Sequence, residues 1–207
     1  MAITYPLTFP NINSPSAITI RQRTMVAQTL SPFTGSRQVQ KHQGQWWEAE
    51  VTLPPMLNAT AATWEAFLTK LNGVEGTFLM GDPTRATPRG SAGGTPLVNG
   101  ASQTGNDLII DGASLSATGW LLAGDWIQLG TSNTSRLYKV LEDVNTDGSG
   151  NATIPIWPEL NASTTPADGA TVVVTGTVGL WHMVDNALEW SAIPFNHSII
   201  FACRSLP

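Results

Sequence analysis

AITIRQRTMV at Ala17–Val26, the turn SPFTG at Ser31–Gly35 and RQVQKHQGQWWEAEVTLPP at Arg37–Pro55 carry the first structural signal in this chain. Ile18, Ile20, Gln22, Thr24 and Val26 fall on one face of a period-two pattern, with Thr19, Arg21, Arg23 and Met25 on the other. The later part of the second stretch alternates as well. Trp47, Ala49, Val51 and Leu53 share one side, and Trp46, Glu48, Glu50 and Thr52 the opposite side. Two half-buried strands joined by a short polar turn predict a β-hairpin at the start of a sheet.

Downstream, TAATWEAFLTKLN (residues 60–72) is the one helical pattern, because Trp64, Phe67, Leu68 and Leu71 recur at i, i+3, i+4 and i+7. Asn58 or Thr60 is expected to cap its start and Gly73 its end. Its apolar stripe is expected to pack on the face carrying Trp47, Ala49 and Val51. Gly76–Pro83 predicts a short strand running into a turn. Thr84–Gly105, dense in Gly, Pro, Ser and Thr, predicts a connector. Beyond it, short strands are expected at Asp107–Asp111, Asp125–Leu129, Arg136–Val144, Thr153–Trp157 and Thr171–Thr175. VGLWHMV, ALEWSAI and NHSIIFAC, between residues 178 and 203, complete the set. The first ninety residues hold too few strands to make a core alone. The expected fold is therefore mainly β: a β-barrel or sandwich-like domain from residues 1–92 and 178–207 with the helix 60–72 packed on it, and an inserted small β-barrel-like unit at 95–177. Two consecutive domains are the alternative.

Composition narrows the function. Charged residues are only 12 % of the 207, and 15 carboxylates against 10 Lys and Arg give a net charge of −5, which offers a phosphate backbone no general attraction. The single cysteine, Cys203, excludes an internal disulfide and reads as a buried apolar residue. No stretch is long and apolar enough to span a membrane, and Met1–Asn13 lacks the pattern of a signal peptide, which predicts a soluble protein made in a cytoplasm.

No catalytic motif is complete. Asp143-Val-Asn145-Thr-Asp147-Gly148 satisfies the first half of a calcium loop, but Ile154 stands where the bidentate Glu belongs, so a hairpin turn is expected. His42, His182 and His197 have no metal-ligand spacing, and no G-x-S-x-G elbow is present. Gly90–Gly94 lacks the lysine and helix of a phosphate loop. No catalytic, cofactor-binding or metal site is therefore expected, and no cofactor. Among eight tryptophans, Trp46 stands out, because it shares a face with Glu48 and Glu50 as an interface aromatic or an ordinary sheet cover would. Trp120, Trp126 and Trp157 would serve as a sugar platform only if coplanar and exposed.

SPFTGSRQVQKHQGQWWEAEVTLPPM (Ser31–Met56) and TWEAFLTKLNGVEGTFLMGDP (Thr63–Pro83) resemble the distal tail proteins of long-tailed, non-contractile bacteriophages, and the likeness continues through Thr118–Gly130 and Lys139–Leu160. The resemblance implies a β-barrel-like domain with one packed helix and a non-catalytic structural role at the virion's tail tip. It further implies self-association into a hexameric ring that joins the tail tube protein to the tail hub and other tail-tip proteins, with neither nucleic acid nor membrane insertion. Arg21 and Arg23 against Trp46, Glu48 and Glu50 form the candidate assembly interface, although the same charges fit cross-strand pairs within one subunit. A carbohydrate-binding β-module assisting host attachment is the alternative function.

Overall fold

The computed structural model describes residues 3–10, 14–162, 165–193 and 196–206, of which 191–193 and 196 are described by backbone alone. The expected domain ends at Met1 and Pro207 lie outside the described residues. In chain order the first strands are β1 (Leu7–Thr8), β2 (Ala17–Leu30) and β3 (Arg37–Thr52), followed by helix α1 (Asn58–Lys70) and β4 (Thr77–Met80). The middle of the chain forms β5 (Gly94–Val98), β6 (Gly105–Ala113), β7 (Trp126–Leu129), β8 (Arg136–Val140), β9 (Ala152–Leu160) and β10 (Val172–Val173). The last strands are β11 (Gly179–Met183), β12 (Trp190–Ile193) and β13 (Asn196–Ser205).

The fold is mainly β with one α-helix. Strands from both ends of the chain build one sheet in the order β1-β4-β11-β13-β3-β2, with β12 alongside β13. All six middle strands build the other, in the order β10-β7-β8-β9-β6-β5. Its end strands nearly meet: a bridge joins Leu97 to Thr171, and the Val98 N–H donates to the Ala170 carbonyl at 2.8 Å. The middle sheet is thus an almost closed barrel. Leu108, Ile110, Ile127, Ile154 and Ile156 fill its interior, each shielded completely from solvent.

Several boundaries differ from the sequence reading for local physical reasons. The helix begins at Asn58, not Thr60, because the Leu57 carbonyl accepts its first bonds from the N–H groups of Thr60 and Ala61. No side chain caps it, and Asn58 Oδ1 is engaged instead by His197 Nε2 at 2.8 Å. At the other end Leu71 is the cap, and Asn72 and Gly73 then turn left-handed at φ 51° and 67°. The connector Thr84–Gly105 contains a strand, β5, whose short apolar pair Leu97-Val98 gave too little pattern to announce it. β8 stops at Val140, since the following exposed turn sends Val144 to bridge Leu121.

The helix stripe is buried as its spacing predicts. Trp64, Phe67, Leu68 and Leu71 join Ala49, Val51, Phe78 and Phe201 in one apolar cluster. Trp47 belongs to the same cluster but faces the barrel. Its ring centroid lies 4.9 Å from that of Trp126 and 4.3 Å from that of Trp157, edge to face, and its indole N–H donates to the Leu137 carbonyl at 3.1 Å. Trp120, Trp126 and Trp157 are all buried, so none of them presents a face to a sugar.

Candidate assembly interface

β2 and β3 pair over nearly their whole lengths, from Ala17 opposite Thr52 to Leu30 opposite Arg37. Only the inner half of this hairpin lies on the core. Ile18 and Ile20 stand opposite Val51 and Ala49, and this half packs inward. Beyond Thr24 the two strands leave the sheet, and Met25–Leu30 and Arg37–His42 are exposed on both faces. Val26–Leu30 against Arg37–Lys41 makes an arm of five paired residues, about 17 Å at the usual rise per residue.

The arm ends in a turn held by Ser31. Its N–H donates to the Ser36 carbonyl at 2.9 Å, its carbonyl accepts from Gly35 at 3.0 Å, and its hydroxyl accepts from the Thr34 N–H at 3.3 Å. Gly35 takes φ 66°, a conformation open to glycine. This turn pushes Phe33 outward, 95 % exposed, with Met25, Val26, Leu30 and Val39 also open along the arm. From Thr24 to Gln45 there is no carboxylate, while Arg37 and Lys41 add positive charge, so the acidic excess lies wholly on the rest of the chain.

The charged residues singled out in the sequence form the outer face at the arm's root. Arg21 Nη2 reaches Glu50 Oε2 at 3.0 Å, and Arg23 Nε reaches Glu48 Oε2 at 2.7 Å, both diagonal cross-strand pairs within one chain. Trp46 donates its indole N–H to Glu48 Oε1 at 3.2 Å, and the Arg204 guanidinium sits 5.6 Å from the Trp46 ring centroid. The hydrogen bond from Arg23 holds the Glu48 carboxyl below its ordinary value against the opposing effect of burial, aided by Trp46 and the charge of Arg204. Arg204 Nε also contacts His182 Nε2 at 3.3 Å, and burial pulls the His182 imidazole below its usual range.

No protein-family model matches this chain, and no curated protein matches it.

The remaining sequence candidates lie apart from the arm's apolar face. Asp143 Oδ1 accepts from the Ala123 N–H at 2.8 Å and Asn145 Oδ1 from Gly119 at 2.7 Å. Asp147 Oδ1 takes the N–H groups of Ser149 and Asn151 at 2.7 and 2.8 Å. The three carboxamide and carboxylate groups of the half-motif thus tie loops together. Calcium is accordingly expected to leave the melting temperature unchanged. A ligand at 100 times its dissociation constant adds about 2.7 kcal/mol, so a rise of several degrees at millimolar calcium would overturn the turn assignment. His42 lies in the bulge at the arm's root, His182 on the outer face and His197 against Asn58, so the three histidines do not converge. Cys203 is fully buried, and burial pushes its thiol far above the ordinary value, away from the reactive thiolate.

Sequence reasoning missed the arm itself. Its exposed residues carry the same alternation as a half-buried strand, and only Phe33 inside a turn and the missing carboxylates hinted at another use.

Proposed function

We propose that the chain is a non-catalytic assembly protein of a phage tail tip, a distal tail protein that associates with copies of itself into a ring between the tail tube and the tip complex. The observation that carries this reading is the arm. A two-stranded ribbon is marginal in water by itself, and contiguous apolar surface on a projecting element marks a contact site. Val26, Leu30 and Val39 share one face of the arm by register, and Phe33 stands exposed at its tip. The occupant we assign to it is a second copy of this chain, because the arm is basic and the remainder acidic, a head-to-tail complementarity. β2 also stands at the edge of its sheet, with its outer hydrogen-bonding row open to an incoming strand. The likeness of Ser31–Met56 to distal tail proteins covers the turn and the second strand of this hairpin.

In this reading the face of Arg21, Arg23, Trp46, Glu48 and Glu50 flanks the contact. Its ion pairs set the shape of the arm's root, since exposed pairs contribute only about 0–1 kcal/mol each, while apolar anchors such as Phe33 supply affinity.

Light scattering on the eluting protein tests this. The native chain is expected at a multiple of its 22.1 kDa mass, and the Leu30→Ser, Phe33→Ser variant at the mass of one chain with unchanged circular dichroism. A native protein that runs as a single chain, or a variant that keeps the multimer, overturns the reading.

A further inference from the structure

The pairing of β2 with β3 breaks where the arm departs. Thr24 stands opposite Gln45 and Val26 opposite Lys41, so three residues of β3, His42–Gly44, face Met25 alone. Such a bulge bends the strand, sharpens its twist and interrupts the hydrogen-bond ladder between the arm and its root. Gly44 lets the strands approach closely there, because a Cβ at that position would come within 2.6 Å of Met25 Cγ and the Met25 side chain would have to shift.

Both residues flanking the bulge reach one residue of the barrel. Lys41 Nζ forms an ion pair with the Glu159 carboxylate, and Gln45 Oε1 accepts the Glu159 backbone N–H at 2.8 Å. Gln45 is only 6 % exposed and the Glu159 side chain is mostly covered, while the Lys41 side chain is half exposed, so the clamp is covered at its barrel end and open to water at its arm end. Gln45 and Lys41, 114 and 118 positions before Glu159, are thus held at one point on β9.

We propose that Glu159 is the positioning residue that fixes the direction of the arm, so that the barrel aims the arm for self-association. A ribbon bending freely at its bulge would lose its freedom on docking, and an arm held in place beforehand avoids that loss. This inference rests on the arm being the docking element.

Hydrogen exchange and light scattering on the full chain decide the matter. Glu159→Lys, and independently Lys41→Glu, are expected to speed amide exchange severalfold in Val26–Leu30 and Arg37–Lys41 while barrel amides such as Ile154 and Ile156 keep their rates. The same variants are expected to weaken self-association about tenfold. The double variant Lys41→Glu, Glu159→Lys restores the pair with reversed sign and is expected to recover both. Exchange in the arm that stays unchanged in both single variants overturns the clamp. Faster exchange with undiminished association, in a protein whose Leu30→Ser, Phe33→Ser form is a single chain, overturns the aiming role. If instead that arm-surface variant keeps its multimer, the docking reading is what falls, and exchange alone then judges whether Glu159 holds the arm.

Discussion

Trp64→Ala is expected to lower folding stability by roughly 3–5 kcal/mol, a large part of the 5–15 typical of a domain. Trp64 is wholly buried, and its ring lies 5.1 Å from Phe9 and 5.9 Å from Phe67 by centroid, edge to face in both cases. The helix that carries it has 13 residues and no side-chain cap. Helices of that length are marginal in isolation, so α1 draws its stability from packing. Removing the indole opens a cavity between the helix, Phe9 and the sheet that neighbouring aromatics are too rigid to fill. Urea denaturation followed by circular dichroism measures the loss. An unshifted midpoint would mean that the helix is held by something other than its stripe.

Trp47→Ala is expected to cost a similar amount but to fail differently. Trp47 touches Trp126 and Trp157 of the barrel, and its N–H satisfies the buried Leu137 carbonyl. Losing it opens a cavity in the seam between the two sheets and leaves a carbonyl unpaired. Each sheet keeps its own interior: the barrel's apolar cluster of Leu108, Ile127 and Ile154 contains no residue of the end-strand sheet. Calorimetry is therefore expected to split one transition into two in Trp47→Ala, while Trp64→Ala shifts the transition without splitting it. Trp47→Phe keeps a ring in the seam and should lose less. A single cooperative transition in Trp47→Ala would show that the remaining contacts couple the sheets by themselves.

Asp125 illustrates how the seam is reinforced from the chain segment between the sheets. It is 2 % exposed, and its carboxylate accepts the N–H groups of Arg89, Gly90 and Leu122 at 3.0, 3.2 and 2.9 Å. A carboxylate with three backbone donors replaces the water it gave up, which explains an Asp at the start of a buried strand. Nearby, Asp82 takes the Thr84 N–H and hydroxyl and the Trp126 indole N–H, and these bonds hold its carboxyl below the usual range although burial alone would raise it.

Much of the local structure was legible in the residues. The alternation of Trp47, Ala49, Val51 and Leu53 names the inward face of β3, and the spacing of Trp64, Phe67, Leu68 and Leu71 names the buried stripe of α1, because a strand or helix buries whatever its own period brings to one side. The turn chemistry of Asp147 and its neighbours was legible for the same reason, since its bonds run to groups within four residues. Partners were not legible. The pattern at Arg21, Arg23, Glu48 and Glu50 fits pairs within one chain or between two, and only strand register brings the four together within one chain.

The same limit explains β7, all four of whose residues are buried. Alternation assigns Ile127 and Leu129 to an interior, but Trp126 and Gln128 are covered because the other sheet lies against them: Trp126 meets Trp47, and Gln128 Oε1 accepts the Val178 N–H at 2.8 Å. The sequence by itself determined that the chain is mainly β with one packed helix, because period and turn chemistry are properties of neighbouring residues. The tertiary structure alone decided that the hairpin outruns its sheet, that Trp47 serves the seam and not the helix, and that Glu159 meets Lys41 and Gln45. Those contacts join residues far apart in the chain, and only the closing of both sheets brings them together.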